Sequence, residues 1–355
     1  MKIKMSFENR VKKALINSIC ILLENNPEKS MSKIFKLSKT LAKDSTTQKI
    51  LTDFEKYYEQ IPSIKTYVNS SLADINPQIK RTLFMNLINK RASSDKVSKY
   101  LPMSAILNPT NKCNLSCLNC NIYNNKNELV AYSDFDKVIK NIYNLDINTV
   151  ILLGGEPFLL DFILDIFENN QNIIFTPVTN GTLFTEKNTT RLLKSTNVVP
   201  IISLGNNQKT IDYSYGNGTY NKIISGMNLL KSKGIPFGVL TAVNSDNLST
   251  ITSDQFVDSL IFNGSKFSIY SNSFCSNAPL NTNLTSNERN LLNEKINTFR
   301  STKPYFLVDL FNDTKYVSQL FNSDTAIKSS FIFSKMPFKS LQSMSLENIL
   351  NSSFS

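Results

Sequence analysis

From residue 103 onward the chain alternates between two hydrophobic periods. Short aliphatic and β-branched runs at 103–108, 148–153, 173–178, 199–204, 236–242 and 266–270 predict strands. Between them, apolar residues at helical spacing predict helices over 133–144, 157–168, 185–195, 219–233 and 252–263. Six strands alternating with helices imply a parallel sheet with right-handed crossovers. Residues 5–97 read differently. Phe7, Val11, Leu15, Ile19 and Leu22 recur at helical spacing, and further helical segments follow at 31–43, 46–60 and 78–91. This predicts an N-terminal helical lobe packed against the sheet. After residue 275 the pattern loosens to a helix at 286–299 and a strand at 304–310.

Composition narrows the classes. An apolar fraction of 41% over 355 residues suits a globular chain with a sizeable core. No apolar run approaches the 18 or so residues of a membrane-spanning helix. The first ten residues lack the apolar stretch and cleavage site of a secretory signal, so the expected location is cytoplasmic. The formal charge of +11 comes mostly from lysines scattered among asparagines, with no compact basic stripe, and no nucleic-acid partner is expected. The chain has no histidine, which excludes His-ligated zinc, His-ligated haem and His-based acid–base or triad chemistry. Five cysteines, an odd number with three close together, do not read as a disulfide framework.

Those three are the sharpest chemical feature. Cys113, Cys117 and Cys120 follow the first predicted barrel strand at C-x3-C-x2-C spacing. A [4Fe–4S] cluster takes thiolate ligands; a loop carrying three of them grips three irons and leaves the fourth open to a small molecule. A structural zinc site would need a fourth ligand, for which only distant Cys20, Cys275 or a carboxylate remain. Further on, the aliphatic strand at 148–153 breaks into Gly154-Gly155-Glu156-Pro157, and the third and fourth strands end near Asn180 and Ser203. Every candidate residue thus falls at or just after a strand end, where β/α barrels gather their sites. Cys275 lies just past the sixth strand, either as a hydrogen-atom donor or as an inert thiol. Cys20 reads as core.

This order of motifs, over about residues 100–275, resembles the radical SAM superfamily. The resemblance implies a partial (β/α)6 barrel (class α/β). It implies that Cys113, Cys117 and Cys120 hold a [4Fe–4S] cluster and that S-adenosylmethionine (SAM) chelates the open iron. Gly154, Gly155 and Glu156 would then bind the methionine amino end of SAM, with Asn180 and Ser203 near its ribose and carboxylate. No catalytic side chain is assigned. Two positions depart from the family pattern: Asn119 stands where many members carry an aromatic residue, and Gly205 where an acidic one is common. The chain end, residues 345–352, resembles the closing helix of a SPASM/Twitch-type extension, but residues 276–355 contain no cysteine, so no auxiliary cluster is expected. The domains read from this are a helical lobe (1–97), a radical SAM core (98–275) and a small α+β cluster-free remnant (276–355).

The implied activity is reductive cleavage of SAM to a 5′-deoxyadenosyl radical that abstracts hydrogen from a peptide or small metabolite, with flavodoxin or ferredoxin as reductant. The rival expectation is a degenerate homologue that serves as a binding or regulatory partner.

Overall fold

Along strands Ser104–Leu107 and Thr149–Leu152, fully buried Ala105, Leu107, Val150 and Leu152 alternate with half-buried residues, so successive side chains face opposite sides of the sheet. The computed structural model describes residues 18–19, 21–22, 27–41, 45–60, 65–67, 74–91, 104–117, 120, 130–144, 147–271, 284–310 and 331–333. The strands are Ser104–Leu107 (β1), Thr149–Leu152 (β2), Ile174–Thr179 (β3), Ile201–Ser203 (β4), Gly238–Ala242 (β5), Phe267–Ser271 (β6), Phe306–Asp309 (β7) and Phe331–Phe333 (β8). They form a single sheet in the order β7-β6-β5-β4-β3-β2-β1-β8, parallel at every step. From β1 to β7 each strand lies beside its successor in sequence, with helices between: a partial (β/α) barrel. Pro177 lacks an N–H, and it sits where β3 changes partner, from β2 through Leu152↔Pro177 to β4 through Val178↔Ile201.

Helices Tyr132–Asn144, Glu186–Ser195, Thr219–Ser232 and Asp254–Phe262 cover the sheet. Their inward residues (Phe135, Leu192, Ile223, Met227, Val257) share one core with Val150, Phe175, Val239 and Tyr270. Phe167 and Phe175 pack ring to ring at 4.9 Å; burying each such side chain contributes roughly 1.5–3 kcal/mol. The expected helix at 157–168 is a 3-10 turn, Pro157–Leu159, followed by Ile163–Asn169. A helix at Gln208–Tyr215 lies between the expected strand at 199–204 and the expected helix at 219–233, where the sequence pattern predicts no element; Asn207 caps it by accepting from the Thr210 amide.

The strand expected at 304–310 is β7. It extends the barrel sheet through its pairing with β6, with helix Ser286–Thr302 as the crossover. A Thr285–Glu288 capping box starts that helix.

In the N-terminal region Ile19, Met31, Ile34, Phe35 and Tyr58 make a second, smaller core. Helix Pro77–Arg91 does not share it: Ile79 joins the barrel core. The helix and its lead-in run beneath the strands. The Asn76 amide donates to Gly234 O (2.8 Å), Thr82 Oγ1 pairs with Thr196 Oγ1 (2.8 Å), and Asn86 Nδ2 donates to Gln171 O (2.9 Å). Those partners precede β5, β4 and β3 respectively, so this segment covers the N-terminal end of the barrel and leaves the C-terminal end for the site. Among the described residues no helix is long and apolar enough to cross a membrane. The expected helix at 345–352, Cys20, Asn119 and Cys275 lie outside the described residues.

Candidate functional site at the strand C-terminal ends

The pairing of β1 with β2 continues past both strands. Leu153 N donates to Leu107 O (2.8 Å), Gly155 N to Thr110 O (2.7 Å) and Glu156 N to Lys112 O (2.8 Å), so the ladder ends one residue before Cys113. This close approach explains the paired glycines. A Cβ on Gly155 would lie 2.0 Å from Lys112 O, and one on Gly154 would lie 2.6 Å from Thr110 O. Gly154 also has φ +117°, a conformation open to glycine and strained for other residues. The Gly-Gly turn is the seat of the cysteine loop.

Beyond the turn, Pro157 starts the 3-10 segment, and the Phe158 ring anchors it edge-on to Phe184 at 5.0 Å between centroids. Glu156 is wholly buried. Its Oε1 accepts from Thr179 Oγ1 (2.8 Å) and Phe158 N (3.1 Å), and its Oε2 accepts from Asn180 N (2.8 Å). One carboxylate therefore ties the end of β2 to the end of β3. Burial raises its pKa; the Asn180, Thr179 and Phe158 donors partly offset that rise.

Replacing Glu156 with Ala strands three donors inside the fold. This should lower the unfolding free energy by roughly 3–5 kcal/mol, read as a lower urea midpoint at unchanged slope. The sign of its pH effect follows from the raised folded pKa. The stabilisation is complete below the ordinary carboxylate range and is lost as pH rises through the folded pKa. Wild-type stability should fall over that rise relative to Glu156→Gln, measured by denaturant unfolding at several pH values; parallel curves would contradict it.

Cys113, Cys117 and Cys120 are half-buried thiols on one loop, which is turned by Cys120 N donating to Cys117 O (3.1 Å). Cys113 Sγ accepts from Leu115 N (3.5 Å) and from Asn180 Nδ2 (3.7 Å). Burial pushes the Cys113 thiol pKa up; the Leu115 amide pulls it back, Glu156 pushes it up again, and the Asn180 amide pulls against that. Among the described residues no three His, Cys, Asp or Glu side chains converge on a single ion. A cluster that takes one thiolate per iron asks for sulfurs spread farther apart than a single ion does. Three thiols with amide donors on one of them fit the chemistry of an iron–sulfur ligand set.

The structure brings Cys113, the Gly154–Glu156 turn and Asn180 together. Ser203 stands at the neighbouring strand end: β3 and β4 pair through Thr179↔Ile202, so Asn180 and Ser203 are each the next residue on. Among the described residues no hydrogen bond joins Ser203 to the others. Gly205 O accepts from Asn247 Nδ2 (2.9 Å), an internal tie between the ends of β4 and β5. Sequence reasoning missed Asn114 and Thr182, both bonded to Asn180. Their only sequence signal is adjacency, next to Cys113 and two residues past Asn180.

Known proteins resemble this chain in sequence over part of its length and in fold. Residues 107–260 match the family model described as the Radical SAM superfamily. The uncharacterized protein MJ0907 of Methanocaldococcus jannaschii is 34% identical over 171 residues, covering 45% of this chain and 59% of that protein. This chain thus spans about three fifths of the length of that relative. In fold it is similar to Streptococcus suis SuiB bound to S-adenosylmethionine (TM-score 0.51, 18% identity, 79% of this chain and 66% of that one). It is also similar to anSMEcpe with bound AdoMet and Kp18Cys peptide (TM-score 0.55, 17% identity, 70% of this chain and 80% of that one). The segment that matches the Radical SAM superfamily model carries the cysteine loop, the glycine turn and strands β2 to β5.

Proposed function

We propose that this protein is a radical SAM enzyme with Cys113, Cys117 and Cys120 as ligands of one [4Fe–4S] cluster. The observation that carries the reading is the seating of a three-thiol loop on the Gly154-Gly155 turn, with Asn180 bridging to the first sulfur. Held by these three cysteines, a cluster would supply, with SAM bound, reductive cleavage of the sulfonium to a 5′-deoxyadenosyl radical.

The chain's own part is to hold and orient. The Gly154–Glu156 turn offers close backbone to the methionine amino end of SAM, with Glu156 fixing the turn from beneath. Asn180 and Ser203 head adjacent strands on the side assigned to the ribose and carboxylate. The substrate class we favour is a peptide or small metabolite, in keeping with the fold likeness to SuiB bound to precursor peptide SuiA (TM-score 0.51, 16% identity). A flavodoxin or ferredoxin would deliver the electron in the cytoplasm. Residues 276–355 hold no cysteine, so one cluster is proposed.

The test is anaerobic. The protein is reconstituted with iron and sulfide, reduced with dithionite, mixed with SAM and assayed for 5′-deoxyadenosine. We expect product from the wild type above the no-protein background. A protein that takes up the cluster and releases none would instead support the rival reading, a degenerate homologue with a binding or regulatory role.

A further inference from the structure

Asn180 is held by more bonds than a loop residue near a ligand requires. Its backbone N–H is fixed by Glu156 Oε2 at 2.8 Å. Its side-chain oxygen accepts from both Thr182 N (2.9 Å) and Thr182 Oγ1 (2.6 Å). Its side-chain nitrogen donates to Asn114 Oδ1 (2.9 Å), and Asn114 Nδ2 donates to Thr182 Oγ1 (2.9 Å). The three side chains form a closed ring in which every donor meets an acceptor. Turning the Asn180 amide over would put its NH2 against the Thr182 N–H and its oxygen against Asn114 Oδ1. The ring therefore admits one orientation, and in it the amide nitrogen faces Cys113 Sγ at 3.7 Å.

We infer that Asn180 is a positioning residue that raises the reduction potential of the cluster by donating its side-chain N–H to the Cys113 sulfur, with Asn114 and Thr182 setting the direction of that bond. This rests on Cys113 being a cluster ligand. Reduction adds one electron to the cluster and makes its thiolate sulfurs more negative. A donor aimed at one of them bonds more strongly to the reduced form than to the oxidised one. Removing the donor favours the oxidised form and lowers the midpoint.

The experiment is an EPR-monitored redox titration of the full-length reconstituted protein without SAM, on wild type, Asn180→Ala and Asn114→Ala. At a fixed applied potential, Asn180→Ala should hold about one tenth of the wild-type ratio of reduced to oxidised cluster. For a one-electron couple that is a midpoint about 59 mV lower. Asn114→Ala should shift the midpoint the same way by less, because Asn180 keeps its bonds to Thr182. Iron content and the apoprotein melting temperature should match wild type in both variants, which separates the effect from unfolding. An Asn180→Ala cluster with an unmoved midpoint overturns the inference. If that variant fails to hold iron, an unmoved midpoint in Asn114→Ala overturns it equally. Wild-type protein that never takes up a cluster defeats the parent assignment instead.

Discussion

Alanine at Cys113, Cys117 or Cys120 is expected to abolish 5′-deoxyadenosine formation, to below about one hundredth of the wild-type yield. Each sulfur is assigned to one iron, so losing one leaves a cluster with two open sites and a different charge. No other cysteine among the described residues can replace it, since Cys113, Cys117 and Cys120 are the only ones there. The folded apoprotein should notice little. The three side chains are half-buried loop residues outside both hydrophobic cores. Truncations at such positions usually change stability by about 0.5 kcal/mol or less. The pair of measurements is therefore iron and product on one side and the thermal melt of apoprotein on the other. A Cys117→Ala protein that melts normally and still cleaves SAM at the wild-type level would remove Cys117 from the ligand set.

Gly155→Ala should also cost the protein iron, by a different route. The added Cβ would lie 2.0 Å from Lys112 O, 2.6 Å from Lys112 C and 2.9 Å from Asn111 C. All three are backbone atoms, so no flexible side chain can turn aside to relieve the contact. Either the Glu156 N to Lys112 O bond breaks or the segment leading into Cys113 moves by more than 1 Å, about what a normal contact distance requires. We expect stability to fall by about 2–3 kcal/mol and bound iron by at least half, because the loop loses its seat beside β2. Gly205→Ala is the control. Its Cβ would meet nothing closer than Ala242 O at 3.5 Å, an ordinary contact, and should leave both the urea midpoint and the iron content unchanged. Equal behaviour of the two variants would show that the seat is not what holds the loop.

Both predictions concern residues already conspicuous in the sequence, but the reasons for them were not. The glycine pair reads from sequence as room for a ligand. Folded, it is first room for the chain itself, because Thr110 and Lys112 come within bonding distance of residues 155 and 156. Glu156 reads as a carboxylate facing the SAM ammonium. Its partners in the fold are Phe158, Thr179 and Asn180, the last two at the C-terminal end of another strand, and a spacing rule cannot reach across that separation. The helix Gln208–Tyr215 escaped notice because Ile211 is its one buried residue, so no apolar period marks it; the cap at Asn207 was the available cue. Residues 304–310 read correctly as a strand. Its place in the barrel sheet depends on pairing with β6, which local pattern does not encode.

What the sequence determined by itself is the order of the first six barrel strands, most of the helices between them and the closely spaced thiols that make a candidate ligand set. Buried parallel strands need aliphatic runs, amphipathic helices need a 3.6-residue period, and an iron–sulfur loop needs closely spaced thiols. All three are local demands, so they are written locally. The tertiary structure alone decided that Glu156 faces inward, that Asn114, Thr182 and Asn180 close a ring beside Cys113, and that helix Pro77–Arg91 closes the lower end of the barrel. Each of those depends on hydrogen bonds between residues far apart in the chain, whose donors and acceptors become neighbours only once the sheet has set its register.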